Sequence, residues 1–197
     1  MPICDYCKPY IGTPAHGSKD SSVHTGRKRF EKAAEQAKRK PVPLKKTIAL
    51  VNEFLEEAGM VPCANPILPL EPNQKVDYDA IQRENGLKDQ RDIVWMKFTR
   101  DGYLGVVAVS NDIGFDIPPS SEEYNRKIQY KSSFRWRYST AGILIHSLGK
   151  QWDDSFALVF PLKNIPEEYN RHHIEMGIGN YLIANDVPIL DFYSHNY

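Results

Sequence analysis

Two cysteines close to the start of the chain have the spacing of metal ligands. Cys4 and Cys7 are separated by two residues, so one turn of chain can present both thiolates to a tetrahedral zinc ion. Zinc requires two further ligands, and the chain offers His16, His24 and, if it folds back, Cys63. A redox role would require a strand directly before Cys4, and none is predicted there. The remaining alternative is a pair of unligated thiols on a terminal tail.

The residues that follow extend this pattern. The sequence CDYC is followed by a spacer and then by HTGRKR, which begins at His24. This N-terminal segment resembles the U1-C/matrin-type zinc finger. The resemblance implies that Cys4, Cys7 and His24 are zinc ligands and that the finger contacts RNA or an RNA–protein surface. Arg29 stands about where that family has its second histidine, so His16 would have to supply the fourth ligand from an unusual position.

A basic stretch follows the cysteine pair. The whole sequence has no net charge, yet residues 1–46 contain eleven Lys and Arg against four Asp and Glu. Strong helix formers predict a helix over residues 27–40, which Pro41 and Pro43 end. A basic arm binds polyanions by counterion release, so we expect it to contact phosphate. The candidate contacts are Arg27, Lys28, Arg29, Lys38, Arg39 and Lys40. The alternative is a solvated helix that keeps the protein in solution.

Basic and aromatic residues alternate in a second stretch, residues 124–138. In an extended strand, Phe134, Trp136 and Tyr138 would share one face and the arginines between them the other. The aromatic rings could stack on unpaired bases, or they could form the core side of an ordinary half-buried strand. The basic residues could contact phosphate in either arrangement. The candidates are Arg126, Lys131, Arg135 and Arg137.

Two groups of residues could take part in catalysis. Asp112 and Asp116 follow a predicted strand, and carboxylates in such a position could hold a catalytic metal. His172, His173 and Glu175 lie on a predicted helix, where His172 and Glu175 share a face. These residues would serve a metal-dependent nuclease. The alternative is that the two histidines pack against the sheet.

The elements that would position these residues follow from hydrophobic periodicity and from turn signals. An amphipathic helix is predicted over 44–58, followed by a Pro-rich linker or wrapping loop. An Asp101-Gly102 turn predicts a β-hairpin. The predicted strands are 93–98, 103–109, 141–147, 156–162 and 187–193, and the later helices are 120–130 and 166–184. The order predicts an α+β fold, a mostly antiparallel sheet with packed helices, preceded by a small zinc-stapled segment and a basic helix.

These elements divide the chain into four segments. They are a zinc-binding and basic helical arm (1–42), an amphipathic helix (43–60), a Pro-rich linker (61–75) and an α+β domain (76–197). Neither a secretory signal nor a membrane-spanning apolar run is visible, so we expect an intracellular protein, cytoplasmic or nuclear, with no membrane partner. The favoured function is zinc-stabilised binding of DNA or RNA. The alternatives are a metal-dependent nuclease and a non-catalytic module whose basic helix docks on an acidic protein.

Overall fold

The computed structural model describes residues 23–70, 78–87, 90–111 and 141–191, with the backbone alone at 23–29, 78, 79, 81 and 141–143. The helices in these ranges are α1 (Val23–Gln36), α2 (Leu44–Glu57), α3 (Tyr78–Glu84), α4 (Ala141–Ser147) and α5 (Arg171–Ala184). The strands are β1 (Ile67–Pro69), β2 (Ile93–Phe98), β3 (Leu104–Ser110), β4 (Phe156–Pro161) and β5 (Ile189–Asp191).

The strands form one sheet in the order β1-β4-β2-β3-β5. β4 pairs antiparallel with both β1 and β2, β2 pairs antiparallel with β3, and β5 joins β3 in parallel. Helices and a mostly antiparallel sheet confirm the predicted α+β class. The predicted hairpin is also confirmed. The Gly102 amide donates to the Thr99 carbonyl at 2.8 Å, and Gly102 adopts a φ of 87°, which favours glycine.

The two faces of the sheet pack against different helices. Alternate residues of β2 divide between them: Val94 and Met96 join the main core with α2 and α5, whereas Trp95 faces the other side. On that other side, α4 packs against the sheet, and α1 packs against both α4 and β5. Leu144 of α4 packs with Ala33 of α1, while the next residue of α4, Ile145, packs among side chains of β3 and β5.

A bulge interrupts the β2–β3 ladder beside this second face. Lys97 pairs with Val106 and Phe98 with Leu104, so Gly105 is left opposite no residue. The ring of Trp152 covers Gly105 so closely that a Cβ atom there would lie 2.2 Å from the ring. The glycine is therefore required by the approach of the indole ring.

The strand predicted over 141–147 is wrong, because these residues form α4. A short apolar run does not distinguish a strand from a buried helix by its periodicity. Leu144 and Ile145 are both fully buried because α4 is covered by α1 on one side and by the sheet on the other. The apolar run therefore reflects a helix buried on two sides.

Other boundaries also differ from the predictions. α1 begins and ends about one turn earlier than predicted, at Val23 and Gln36. The Pro-rich segment contributes β1, which lies at the edge of the sheet. Pro69 has no backbone N–H, and an edge strand tolerates this because one of its sides has no neighbouring strand to pair with. α5 begins at Arg171, because the side chain of Asn170 accepts hydrogen bonds from the amides of His172 and His173. The predicted helix over 120–130 lies outside the described residues.

Candidate functional site

Five cations lie in the nine residues from Lys38 to Lys46, which connect α1 to the first turn of α2. We call residues 38–46 the basic segment. It contains no acidic residue. Its four lysines are exposed: Lys38, Lys40, Lys45 and Lys46. The predicted contacts Lys38, Arg39 and Lys40 thus lie beside Lys45 and Lys46, two lysines of the amphipathic helix α2.

The N-terminal half of the basic segment is fixed to the β2–β3 hairpin. The buried Tyr103 places its hydroxyl 2.7 Å from the carbonyl oxygen of Arg39 and 3.0 Å from that of Ala37, and it donates to this pair. Pro41 lies beside the hairpin turn, within van der Waals reach of a Cβ atom placed on Gly102. These contacts hold the chain in one conformation while its lysines face outward.

Ion pairs compensate only part of the positive charge. The Lys38 ammonium lies 2.6 Å from a carboxylate oxygen of Glu35, and the Arg39 guanidinium lies 2.9 Å from one of Asp186. Both pairs are largely exposed, so each contributes about 0–1 kcal/mol to stability and can exchange for another anion. Lys40, Lys45 and Lys46 make no ion pair with any residue that the structure describes. The segment therefore carries uncompensated positive charge.

The start of α2 adds to this positive potential. Pro43 precedes the helix, makes no capping bond through its side chain, and is followed by a first turn without an acidic residue. That turn carries Lys45 and Lys46, although a helix N-terminus favours negative charge. Each misplaced cation costs about 0.3–1 kcal/mol at low ionic strength. An anion bound beside this turn would remove that cost.

The hairpin turn next to the basic segment contains both compensated and exposed charges. The Lys150 ammonium lies 2.5 Å from a carboxylate oxygen of Asp101 and 3.8 Å from the centre of the Tyr103 ring. Burial alone would raise the pKa of Asp101, but hydrogen bonds from Lys150 and Thr99 outweigh it and hold that pKa below its ordinary value. Arg100 is exposed and donates to Gln151 at 2.8 Å. Arg100 is therefore an exposed cation on the turn beside the basic segment, whereas Lys150 is neutralised by Asp101.

The structure brings two of the predicted catalytic residues together. On α5, Nδ1 of His172 lies 3.8 Å from Oε2 of Glu175, whose side chain is almost fully buried. Arg171 next to them pairs with Asp92 at 2.8 Å. His173 has a structural position instead: its Nδ1 accepts a hydrogen bond from the Asn170 amide, which completes a capping box. Only His172 and Glu175 therefore remain together as candidates on this helix.

The other predicted site residues fall outside these contacts. His24, Arg27, Lys28 and Arg29 lie on α1, where the backbone alone is described. The remaining predicted residues lie outside the described ranges: Cys4, Cys7, His16, Asp112, Asp116, Arg126, Lys131, Arg135 and Arg137. Cys63, the alternative metal ligand, is a half-buried free thiol. In the described ranges, no group of three or more His, Cys, Asp or Glu side chains is arranged to hold a metal.

Sequence reasoning missed Lys45, Lys46 and Arg100. The first two continue the charge run of the predicted arm, and the absence of acidic residues from 36 to 52 is visible in the sequence. The apolar periodicity of the amphipathic helix begins at the same place and conceals this charge run. Arg100 joins the surface only because Tyr103 brings the hairpin against residues more than sixty positions away.

Comparisons with known proteins do not assign the chain to a family. No protein-family model matches the chain, and neither curated proteins nor solved structures yield a match. Among the helices in the described ranges, none is long and apolar enough to cross a lipid bilayer.

Proposed function

We propose that this protein binds nucleic acid through the basic segment and that a zinc ion stabilises its N-terminal region. The observation that carries the proposal is the exposed, acid-free run of cations that Tyr103 fixes to the sheet. Phosphate contacts from lysine and arginine supply most of the affinity of non-specific nucleic-acid binding. A segment already held in place loses little conformational entropy on binding.

The exposed cations lie along an extended connection and the helix that follows it. Lys40 precedes Pro41-Val42-Pro43, and Lys45 and Lys46 lie in the first turn of α2. Since a duplex carries one negative charge per about 1.7 Å of its axis, several of these lysines can meet successive phosphates. The exposed Arg100 supplies a further cation on the neighbouring hairpin turn. The geometry favours contact with the phosphate backbone rather than with base edges.

The proposed zinc ligands lie ahead of this surface in the chain. Two cysteines and two histidines, Cys4, Cys7, His24 and His16, form a donor set that suits zinc. His24 lies in the first turn of α1, and the same helix is packed against α4 through Ala33 and leads into the basic segment. Zinc bound by these four residues would join Cys4 and Cys7 to the first turn of α1. The test is the zinc content of the purified protein and of its Cys4→Ser variant: one zinc per chain, lost in the variant, is the expected result.

Titration with fluorescent single-stranded RNA and duplex DNA at several salt concentrations tests nucleic-acid binding. The informative variant replaces Lys40, Lys45 and Lys46 with alanine, and Lys163→Ala, an exposed lysine elsewhere, is its control. For duplex DNA we expect the triple variant to reduce the slope of log affinity against log salt by about three units, or about 0.9 for each lost phosphate contact. Absent binding, or a slope equal in the triple variant and the wild type, would refute the basic segment as the interface.

The alternative, a metal-dependent nuclease, is favoured by one observation, the proximity of His172 to the buried Glu175. The described residues supply only this pair, so a metal site would need Asp112 or Asp116 in addition. Incubating plasmid DNA and RNA with the protein and Mg²⁺, Mn²⁺ or Zn²⁺ tests it, with His172→Ala as the control. Cleavage by the wild type that His172→Ala abolishes would establish the enzyme. Absence of cleavage with all three metals would exclude it.

The same cations could instead dock on an acidic protein. Nuclease treatment before affinity purification separates this hypothesis from nucleic-acid binding. A purified protein partner that persists after nuclease digestion and is lost with the triple lysine variant would favour the non-catalytic module.

A further inference from the structure

A cleft of about 280 Å³ lies beside β1, at the opposite edge of the sheet from β5. Its apolar walls include Val61, Ile67, Leu68 and Val159. Its polar lining includes Cys63, Asn65, Asn85 and Lys163. Apolar walls with a few polar groups are typical of small-molecule sites, and the volume lies near the lower limit for such sites.

The apolar groups that remain exposed are concentrated at this cleft. Val61 is 41% exposed and Ile67 is 38% exposed, and these are the large hydrophobic side chains that the described surface leaves open to solvent. Both line the cleft. Two such side chains facing one concavity indicate a surface that gains free energy when an apolar group covers it.

The charge of the cleft indicates which charge its ligand should carry. Among the described residues that line it, Lys163 alone is charged, and Lys163 forms no ion pair within the described ranges. Burial raises the pKa of the Cys63 thiol, while a backbone hydrogen bond at Asn65 and the positive charge of Lys163 act in the opposite direction. Lys163 itself lines the cleft and supplies its positive charge. One cation suits a ligand with one negative charge.

The wall that contains Cys63 is held in place before any ligand arrives. The side-chain nitrogen of Asn52 donates to the backbone carbonyl of Cys63 at 3.0 Å, and the backbone N–H of Cys63 donates to the side-chain oxygen of Asn52 at 3.0 Å. This pair of hydrogen bonds joins the segment after α2 to the helix itself. Pro62 and Pro66, on either side, restrict the backbone further. A preformed wall reduces the entropy lost on binding.

We propose that this cleft binds a small organic monoanion with an apolar body, its negative group on Lys163 and its apolar part against Val61 and Ile67. Asn65 offers an amide donor for the same negative group or for a neighbouring polar atom. A polyphosphate does not suit the site, since a single cation would leave most of its charge unpaired. The site is separate from the basic segment and does not depend on nucleic-acid binding.

Two fluorescent probes that differ in one charged group test the proposal. Anilinonaphthalene sulfonate has an apolar ring system and one sulfonate, and N-phenyl-1-naphthylamine is the same ring system without it. We expect the wild-type protein to bind the sulfonate at one saturable site. Lys163→Ala should weaken that binding roughly fivefold, which corresponds to the free energy of an exposed ion pair. The affinity for the neutral probe should not change. Lys32→Ala, which replaces an exposed lysine of α1 outside the basic segment, should change neither.

A second variant tests the location of the site independently of charge. Ala64 is exposed and lines the cleft, so Ala64→Trp fills the cleft without entering the core. Both probes should lose affinity for this variant. The sulfonate should also slow alkylation of Cys63 by iodoacetamide, read by peptide mass so that Cys4 and Cys7 are counted separately. Unsaturable binding, equal effects of Lys163→Ala and Lys32→Ala, or unchanged binding to Ala64→Trp would overturn the proposal.

Discussion

The hydroxyl of Tyr103 is the contact that most directly holds the basic segment in place. Tyr103→Phe removes this donor and keeps the ring, so the packing of the ring and its contact with Lys150 persist. The hydroxyl carries a single proton, shared between the carbonyl oxygens of Ala37 and Arg39 at 3.0 and 2.7 Å, so one net hydrogen bond is lost. Such a bond contributes about 0.5–1.5 kcal/mol. We therefore expect the free energy of unfolding to fall by about 1 kcal/mol.

The loss should be concentrated at the basic segment. Trypsin cleaves after lysine and arginine, so cleavage after Lys38 and Arg39 reports how often this segment opens. A loss of 1 kcal/mol from the closed state raises the open population roughly fivefold, and cleavage there should accelerate by that factor. Cleavage after the exposed Lys163, which follows β4, serves as the internal control. Under native conditions local opening rather than global unfolding limits cleavage there, so its rate should stay at the wild-type value.

Urea denaturation supplies the independent measurement of stability. The midpoint should fall while the dependence of the free energy on urea concentration stays the same, because the substitution leaves the buried area nearly unchanged. Unchanged cleavage after Lys38 and Arg39, or an equal acceleration after Lys163, would refute the claim that Tyr103 fixes the basic segment.

Two further predictions concern the same end of the sheet. Gly105→Ala places a Cβ atom 2.2 Å from the buried Trp152 ring and should destabilise the fold by about 3 kcal/mol in urea unfolding. The control is Gly149→Ala, at a residue with a φ of 72° and open space around it, which should cost about 1–2 kcal/mol. Equal costs for the two variants would contradict the close approach of Trp152 to Gly105. Asp101→Asn should lower the free energy of unfolding at neutral pH. Because folding depresses the pKa of Asp101, the carboxylate should stabilise the protein above its ordinary pKa of 3.8, and this stabilisation should be lost as the pH falls through the pKa of the folded state. A stability difference between wild type and Asp101→Asn that is unchanged between neutral and strongly acidic pH would contradict that assignment.

Local signals in the sequence were sufficient for the elements whose contacts are local. The β2–β3 hairpin follows from its Asp101-Gly102 turn and from apolar strands on both sides, and α2 follows from its apolar spacing. α4 did not follow, because its apolar run records burial by α1 and by the sheet, which are distant in sequence. β1 did not follow either, since its three residues owe their strand conformation to pairing with β4, about ninety positions later.

For the candidate interface, the sequence predicts several of the residues but not their fixed position. Lys38, Arg39 and Lys40 were predicted from charge density alone, which one stretch of chain contains. Their fixed position depends on Tyr103 and Asp186, and neither residue can be connected with them by spacing or periodicity. Charge density therefore predicts which residues carry the interface, and tertiary contacts determine how rigidly it is presented.

The placement of Lys45 and Lys46 bears on whether the basic segment functions in binding or only in solubility. A solvated surface could place these lysines elsewhere on α2 at no electrostatic cost, for example in its last turn, which contains no basic residue and would favour them. They lie instead at the N-terminus, without a capping side chain and next to Lys40. This arrangement is unfavourable in the free protein and becomes favourable when an anion is bound. Replacing Lys45 and Lys46 with glutamate should therefore stabilise the free protein by about 1 kcal/mol while abolishing its affinity for nucleic acid. If the pair of substitutions destabilises the free protein, the argument from the helix terminus fails.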